Sequence, residues 1–162
     1  MYIFVLKYDK MVQKKDEGES IMEKTMEDLV DRATQKHQSG YNCCQAVACA
    51  FSEELGLDEN IVFRMAEGFG AGMGGMQATC GAVTGAVMLA GLKNSQGIDN
   101  IGTKGATYKL SKEIIAEFEK MNGSSICKDL KGLETKQMLR SCSGCIEDAV
   151  RIAKKVVFGQ ED

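Results

Sequence analysis

Apolar side chains recur at intervals of three and four along most of the 162 residues, and alternation in twos is nowhere sustained. The pattern predicts helices without a sheet. Ser20-Ile21-Met22-Glu23 has the spacing of a capping box, and Met22, Met26, Leu29 and Ala33 continue one face, so a first helix is expected from about Ile21 to His37, stopped by Gly40. Asn42 with Gln45 offers a second cap, opening a helix through Val47, Phe51 and Leu55 that Gly56 ends. Asp58 caps a third, whose inward face is Val62, Met65, Ala66 and Phe69. The following Gly68-Phe-Gly-Ala-Gly-Met-Gly-Gly75, with five glycines in eight residues, reads as a loop.

From about Met76 to Leu92 the chain is apolar and small. Gly81 and Gly85 are four apart with Ala78 and Ala82 nearby, which leaves one side of a helix nearly bare for another backbone to approach. Each glycine costs a helix about 1 kcal/mol relative to Ala, so close packing or a bound group must compensate. This is expected to be the central helix, its small face seated against the first cysteine helix. A linker over 93–105 precedes an amphipathic helix with Tyr108, Ile114, Ile115, Phe118 and Met121 on one side, ended by Asn122-Gly123. Ser124 caps a short helix carrying Cys127 and Leu130. A last helix from Cys142 carries Cys145, Ile146, Ala149, Ile152, Ala153 and Val156, with Lys154 and Lys155 in its final turn, where cations suit the dipole. The expected architecture is all-α: a compact bundle of about five to seven helices around the Gly-rich central one. It forms a single domain over 21–158 behind a solvated N-terminal tail over 1–20.

Composition narrows the function. The chain has no Pro, 10 Met and 18 Gly, consistent with long helices filled by flexible aliphatics and broken by glycine. A net charge of −3 and a pI near 5.3 exclude a nucleic-acid footprint, which needs a basic face. Lys7, Lys10, Lys14 and Lys15 alternate with Asp9, Asp16 and Glu17 and form no basic cluster. Tyr2 to Leu6 is too short for the apolar core of a signal peptide, and Ala82 to Leu92 is too short to span a bilayer. A cytoplasmic protein without membrane association is therefore expected.

Seven cysteines are the compositional anomaly. In a reducing compartment, and at an odd count, permanent disulfides are disfavoured and redox or metal-binding thiols favoured. Cys43, Cys80, Cys127 and Cys142 each follow a capping residue at a helix start: Asn42, Thr79, Ser124 and Ser141. Unpaired amides and the positive end of the helix dipole stabilise a thiolate there, so lowered thiol pKa values are expected. Cys142-Ser-Gly-Cys145 adds a C-x-x-C motif without the βαβ setting of a thioredoxin. Cys44 and Cys49 are assigned to packing. The loop glycines Gly72, Gly74 and Gly75, with Gly81, are candidates for letting backbone amides or a bound group approach a thiolate. Gly70-x-Gly72-x-x-Gly75 matches a dinucleotide fingerprint but lacks the preceding strand that mechanism needs. His37, the single histidine, reads as a cation at a helix end.

At Asn42-Cys43-Cys-Gln-Ala-Val47, Gly68 to Gly75, Thr79-Cys80-Gly-Ala-Val-Thr-Gly85, Ser125-Ile-Cys127-Lys-Asp-Leu130 and Cys142, the sequence resembles the redox-active family called C_GCAxxG_C_C. The resemblance runs from about Met22 to Val157. It implies that Cys43, Cys80, Cys127 and Cys142 are the four family cysteines, acting in helical, cysteine-dependent electron or thiol chemistry. Here Gly81 stands between Cys80 and Ala82, and Cys145 is an addition to the named pattern.

Three functions stay open. Cys43, Cys80, Cys127 and Cys142 can converge to ligate an iron–sulfur cluster or another thiophilic metal such as zinc, for electron transfer. Alternatively the thiols work without a cofactor, with Cys142/Cys145 or Cys43/Cys80 as attacking and resolving pairs. The third reading is a non-catalytic helical interaction module. A redox partner and assembly as a homodimer are the partner expectations; substrate and electron partner are not named by the sequence.

Overall fold

The computed structural model describes residues 24–159. The expected cap at Ser20 and helical turn from Ile21 lie outside that range. The first described helix, α1, is Met26–Gln38, and its cap is Thr25: the hydroxyl accepts from the Asp28 amide while the Asp28 carboxylate accepts from the Thr25 amide. The remaining helices are α2 (Cys43–Ala50), α3 (Glu59–Ala66), α4 (Gly81–Asn94), α5 (Lys104–Asn122), α6 (Cys127–Leu130) and α7 (Cys142–Phe158). Among the described residues there is no strand, only an isolated antiparallel bridge between Thr79 and Ile126. The bundle is all-α, as the periodicity predicts.

The central position of α4 follows from its glycines. A Cβ on Gly85 would lie 2.9 Å from the Cys44 carbonyl oxygen and 3.0 Å from Val47 Cβ, so α2 rests directly on the α4 backbone. Around this contact Val47, Phe51, Ala82, Val83, Ala86 and Leu89 pack with Leu29 and Ala33 of α1, Ile114 and Phe118 of α5, and Ile146, Ala149, Val150 and Ala153 of α7. A smaller cluster of Cys44, Ala48, Cys49, Val62 and Ala66 joins α2 to α3. Cys44 and Cys49 are thus packing residues. A bidentate pair between Arg151 and Glu27 ties α7 to α1.

Several boundaries and faces differ from expectation, each for a physical reason. Helix α2 stops at Ala50, and tight turns carry the chain to Gly56. Met65, Tyr108 and Met121 are exposed by 57%, 67% and 56%. The apolar faces of α3 and α5 are therefore narrower than a full helical stripe, with Val62 and Ala66 buried in one and Ile114 and Phe118 in the other. Helix α4 begins at Gly81 and continues to Asn94, so 95–103 alone connects it to α5 through a 3₁₀ turn at Ile101–Thr103. Lys154 is buried within α7, its ammonium 3.4 Å from Glu54 and over the Phe158 ring, so only Lys155 serves the final turn. No helix among the described residues is long and apolar enough to cross a membrane.

Candidate functional site

Four local structures deliver cysteines to one place. Cys43 opens α2 because the Asn42 side chain accepts from the Cys44 and Gln45 amides while Gln45 Oε1 accepts from the Asn42 amide at 2.9 Å. Cys142 opens α7 behind Ser141, whose hydroxyl accepts from the Gly144 amide. Cys80 and Cys127 are brought side by side by the short antiparallel bridge. The Cys80 amide donates to the Ser125 carbonyl at 2.7 Å, and the Cys127 amide donates to the Ala78 carbonyl at 3.0 Å. Two expected caps are corrected here. Cys80 is itself the N-cap of α4, not Thr79. Ile126 is the N-cap of α6, and Ser124, two residues earlier, accepts from the Ile126 amide.

The result is a cavity of about 280 Å³ lined by Cys43, Cys80, Cys127, Cys142 and Cys145 together with His37, Lys131 and Arg140. Only Cys142 is partly exposed; the other four are buried. The four helix-start cysteines therefore converge, and the second cysteine of the C-x-x-C joins them. No disulfide links them.

The glycine turn forms one wall. Ala71, Gly72, Met73, Gly74 and Met76 all have positive φ, and three of these are not glycine. Each such left-handed residue costs about 1–2 kcal/mol, a strain that surrounding contacts must hold. What it achieves is close approach: the Ala71 amide donates to the Cys43 sulfur, and a Cβ on Gly72 would lie 2.7 Å from Cys127 Cβ. Gly81 is equally constrained, since a Cβ there would lie 2.5 Å from Cys43 Sγ and 2.8 Å from the Phe69 carbonyl. Gly72 and Gly81 thus abut the thiols. Gly74 and Gly75 do not: both are exposed, and an added Cβ meets nothing within 4 Å.

The thiols lie side by side: Cys43 neighbours Cys80, and Cys80 neighbours Cys145. Cys127 lies near both Cys43 and Cys142. The neighbouring Cys80 together with burial holds the Cys43 thiol far above its ordinary value. The neighbouring Cys145 pushes Cys80 up to about 12, Cys43's opposing effect and burial contributing less. Burial first, then the neighbouring thiols, raises Cys127. The lowered values expected at helix starts are therefore overturned for these three cysteines. A buried thiol beside other thiols loses more by desolvation and like charge than a helix dipole returns.

Lys131, Arg140 and His37 also line the cavity, and their roles at the site are not evident from sequence spacing. Lys131 donates to the Cys142 sulfur, which holds its ammonium above the usual lysine range. It arrives there through the turn after α6, where its amide donates to the Cys127 carbonyl. Arg140 forms a bidentate pair with Asp148 at 2.9 Å, and Asn122 donates to the same carboxylate. A Cβ on Gly144 would lie 2.4 Å from Arg140 Nε, so the glycine of Cys-Ser-Gly-Cys is what lets Arg140 lie across α7. His37, expected only as a helix-end cation, lines the cavity. Its Nδ1 sits 2.9 Å from the Tyr41 carbonyl, which only accepts, so Nδ1 carries a proton and Nε2 in the neutral ring is a base. The one sequence signal for this was its distance of six residues from Cys43 across the Gly40 turn.

Soft thiolates are the right donors for an iron–sulfur cluster or zinc. The arrangement does not match: among the described residues no three or more His, Cys, Asp or Glu side chains are grouped as metal ligands. The thiols line one cavity wall.

The family model described as "Putative redox-active protein (C_GCAxxG_C_C)" matches residues 41–156, which includes every cysteine of this site, and the chain belongs to that family. Nothing among curated proteins or solved structures matches it.

Proposed function

We propose that this member of the C_GCAxxG_C_C family is a thiol–disulfide oxidoreductase in which Cys142 attacks and Cys145 resolves. The observation that carries the reading is the contrast within one cavity: Cys142 alone is accessible and is paired with a lysine, while the other thiols lie behind it. Residues three apart at a helix start have Cα atoms about 5 Å apart, from a rise of about 1.5 Å per residue on a radius of about 2.3 Å. That falls within the roughly 4.4–6.8 Å that a disulfide spans.

In the first step the Cys142 thiolate attacks a disulfide RS–SR, the Cys142–SR bond forms, and RS⁻ leaves to take a proton from solvent. The Lys131 ammonium and the amides of the first turn of α7 stabilise the attacking charge. Cys145, which lies beside Cys80, then attacks the Cys142 sulfur and expels the second RS⁻, which takes up the proton Cys145 loses. Two electrons pass from protein to substrate, and Cys142 and Cys145 end joined.

The test is to reduce anaerobically purified protein, add 2-hydroxyethyl disulfide, quench in acid and map disulfides by mass spectrometry. A Cys142–Cys145 disulfide that disappears in Cys142→Ser supports the reading. The metal reading is tested on the same preparation by iron, zinc and acid-labile sulfide content. Stoichiometric iron and sulfide that vanish in Cys80→Ser would replace thiol exchange with cluster-based electron transfer.

A further inference from the structure

Behind the outer pair the row of thiols continues. Cys145 lies beside Cys80, and Cys80 beside Cys43, on the wall of the same cavity. All three are buried, with exposures of 2%, 5% and 7%. The inner end is held in place from two sides. The Ala71 amide donates to Cys43, and Gly81, next to Cys80 in the chain, leaves no space between the α4 backbone and the Cys43 sulfur. Two sulfurs kept in contact, sealed from solvent and continuous with an exchanging pair have no packing purpose that alanines would not serve.

We infer that Cys80 and Cys43 are a second, internal dithiol that draws the disulfide inward from Cys142–Cys145 and frees the outer pair for another round of exchange. The inference rests on the outer pair acting as proposed above. Cys80 attacks the Cys145 sulfur, forming Cys80–Cys145 and releasing Cys142 as thiolate. Cys43 then attacks the Cys80 sulfur, forming Cys43–Cys80 and releasing Cys145, and the protons of Cys80 and Cys43 pass to the two thiolates released. Nothing is gained or lost in these internal steps: two electrons and two protons have moved outward. A second molecule of the organic disulfide then oxidises Cys142 and Cys145 again. The reduced protein so delivers four electrons to two disulfides and ends with Cys43–Cys80 and Cys142–Cys145. Cys127, beside Cys43 and Cys142, is the thiol left over.

Because Cys80 keeps its proton up to about pH 12, inward transfer is the slow phase. Its rate rises about tenfold per pH unit between 7 and 10, in proportion to the thiolate present.

The experiment follows the fully reduced chain with excess 2-hydroxyethyl disulfide, sampling intact mass and peptide maps over time. The expected course is a fast loss of two hydrogens at Cys142–Cys145 and a slow loss of two more at Cys43–Cys80. With one equivalent of oxidant, the disulfide first found at Cys142–Cys145 migrates to Cys43–Cys80. Cys43→Ala and Cys80→Ser each abolish the slow phase and leave the first disulfide outside. The pair of variants, checked by circular dichroism, keeps the test intact if one of them fails to fold. Wild-type protein that stops after one equivalent, or that forms a disulfide through Cys127 in the slow phase, overturns the inference while leaving the outer pair standing. Cys43–Cys80 forming at wild-type rate in Cys142→Ser also overturns it, because the inner pair would have its own access. If no Cys142–Cys145 disulfide forms at any stage, the proposed function itself has failed.

Discussion

Replacing Gly81 by alanine tests whether the seat of α2 on α4 is what holds the thiols in register. The new Cβ would lie 2.5 Å from Cys43 Sγ, 2.8 Å from the Phe69 carbonyl oxygen and 3.3 Å from the Cys44 amide nitrogen. Ordinary contacts need about 3.5–4.0 Å, so at least two atoms must retreat by about 1 Å. One is backbone and the other is a sulfur at the first position of a helix, so neither moves alone. Overpacking of this kind costs about 1–3 kcal/mol, and the gain from replacing a helical glycine offsets at most about 1 kcal/mol of it. Gly91, in the same helix, is the control: a Cβ there meets nothing within 4 Å, so Gly91→Ala keeps only the gain. At about 3–5 °C per kcal/mol for a domain of this size, the net cost of up to about 2 kcal/mol in Gly81→Ala lowers the melting temperature by up to about 10 °C, and Gly91→Ala raises it by about 2–5 °C. Thermal unfolding of both under reducing conditions decides the matter, with formation of the Cys43–Cys80 disulfide as a second readout lost only in Gly81→Ala. Equal shifts of the same sign in the two variants would refute the steric argument.

Other outcomes follow from the site. Lys131→Met slows the first exchange at Cys142 by about two- to fivefold at low salt, as expected for a partly exposed charge pair, and the deficit shrinks as salt is added; stopped-flow oxidation measures both. Gly144→Ala pushes Arg140 off Asp148, which then keeps only Asn122, and costs about 2–3 kcal/mol in urea unfolding, whereas Ser143→Ala changes stability little. At pH 8 a thiol held at about 12 is ionised about 2,000-fold less than an ordinary one, and its greater nucleophilicity recovers about 25–50-fold. Direct reaction of Cys80 with a small disulfide in Cys142→Ser is therefore about 40–100-fold slower than that of a cysteine peptide, a ratio that peptide mapping reads directly.

How far the chain can be read without coordinates depends on how local each determinant is. The caps at Asn42, Asp58 and Ser141 depend on side chains within three residues of the amides they serve, and all three form as the spacing predicts. The small face of Gly81 and Gly85 was equally legible, because a bare helix face has few uses other than close packing. The starts of α4 and α6 were not, since both are set by the bridge between Thr79 and Ile126, which joins segments 47 residues apart. Lys131 and Arg140 are hidden although they are near Cys142 in sequence, because turn and packing geometry place them. Lys131 reaches Cys142 through a turn, and Arg140 matters only because Gly144 makes room for it across the helix.

The reversal of the thiol expectation has a deeper lesson for the mechanism. A helix N-terminus favours a thiolate only if water or a countercharge completes its solvation, and of the helix-start cysteines Cys142 alone has both some exposure and a lysine. At Cys43, Cys80 and Cys127 the dipole acts against burial and against one another, and burial prevails. The gradient runs from a reachable sulfur beside a lysine at the cavity mouth to buried thiols held protonated behind it. A reductant meeting the outer disulfide reacts with it directly, while a disulfide moved to Cys43–Cys80 is reached again only by the slow outward reversal through Cys145. On the proposed function, the bundle separates contact with substrate from storage of the oxidised state. The physical basis is the bare flank of Gly81, which lets two helix starts bring their sulfurs together where little solvent reaches.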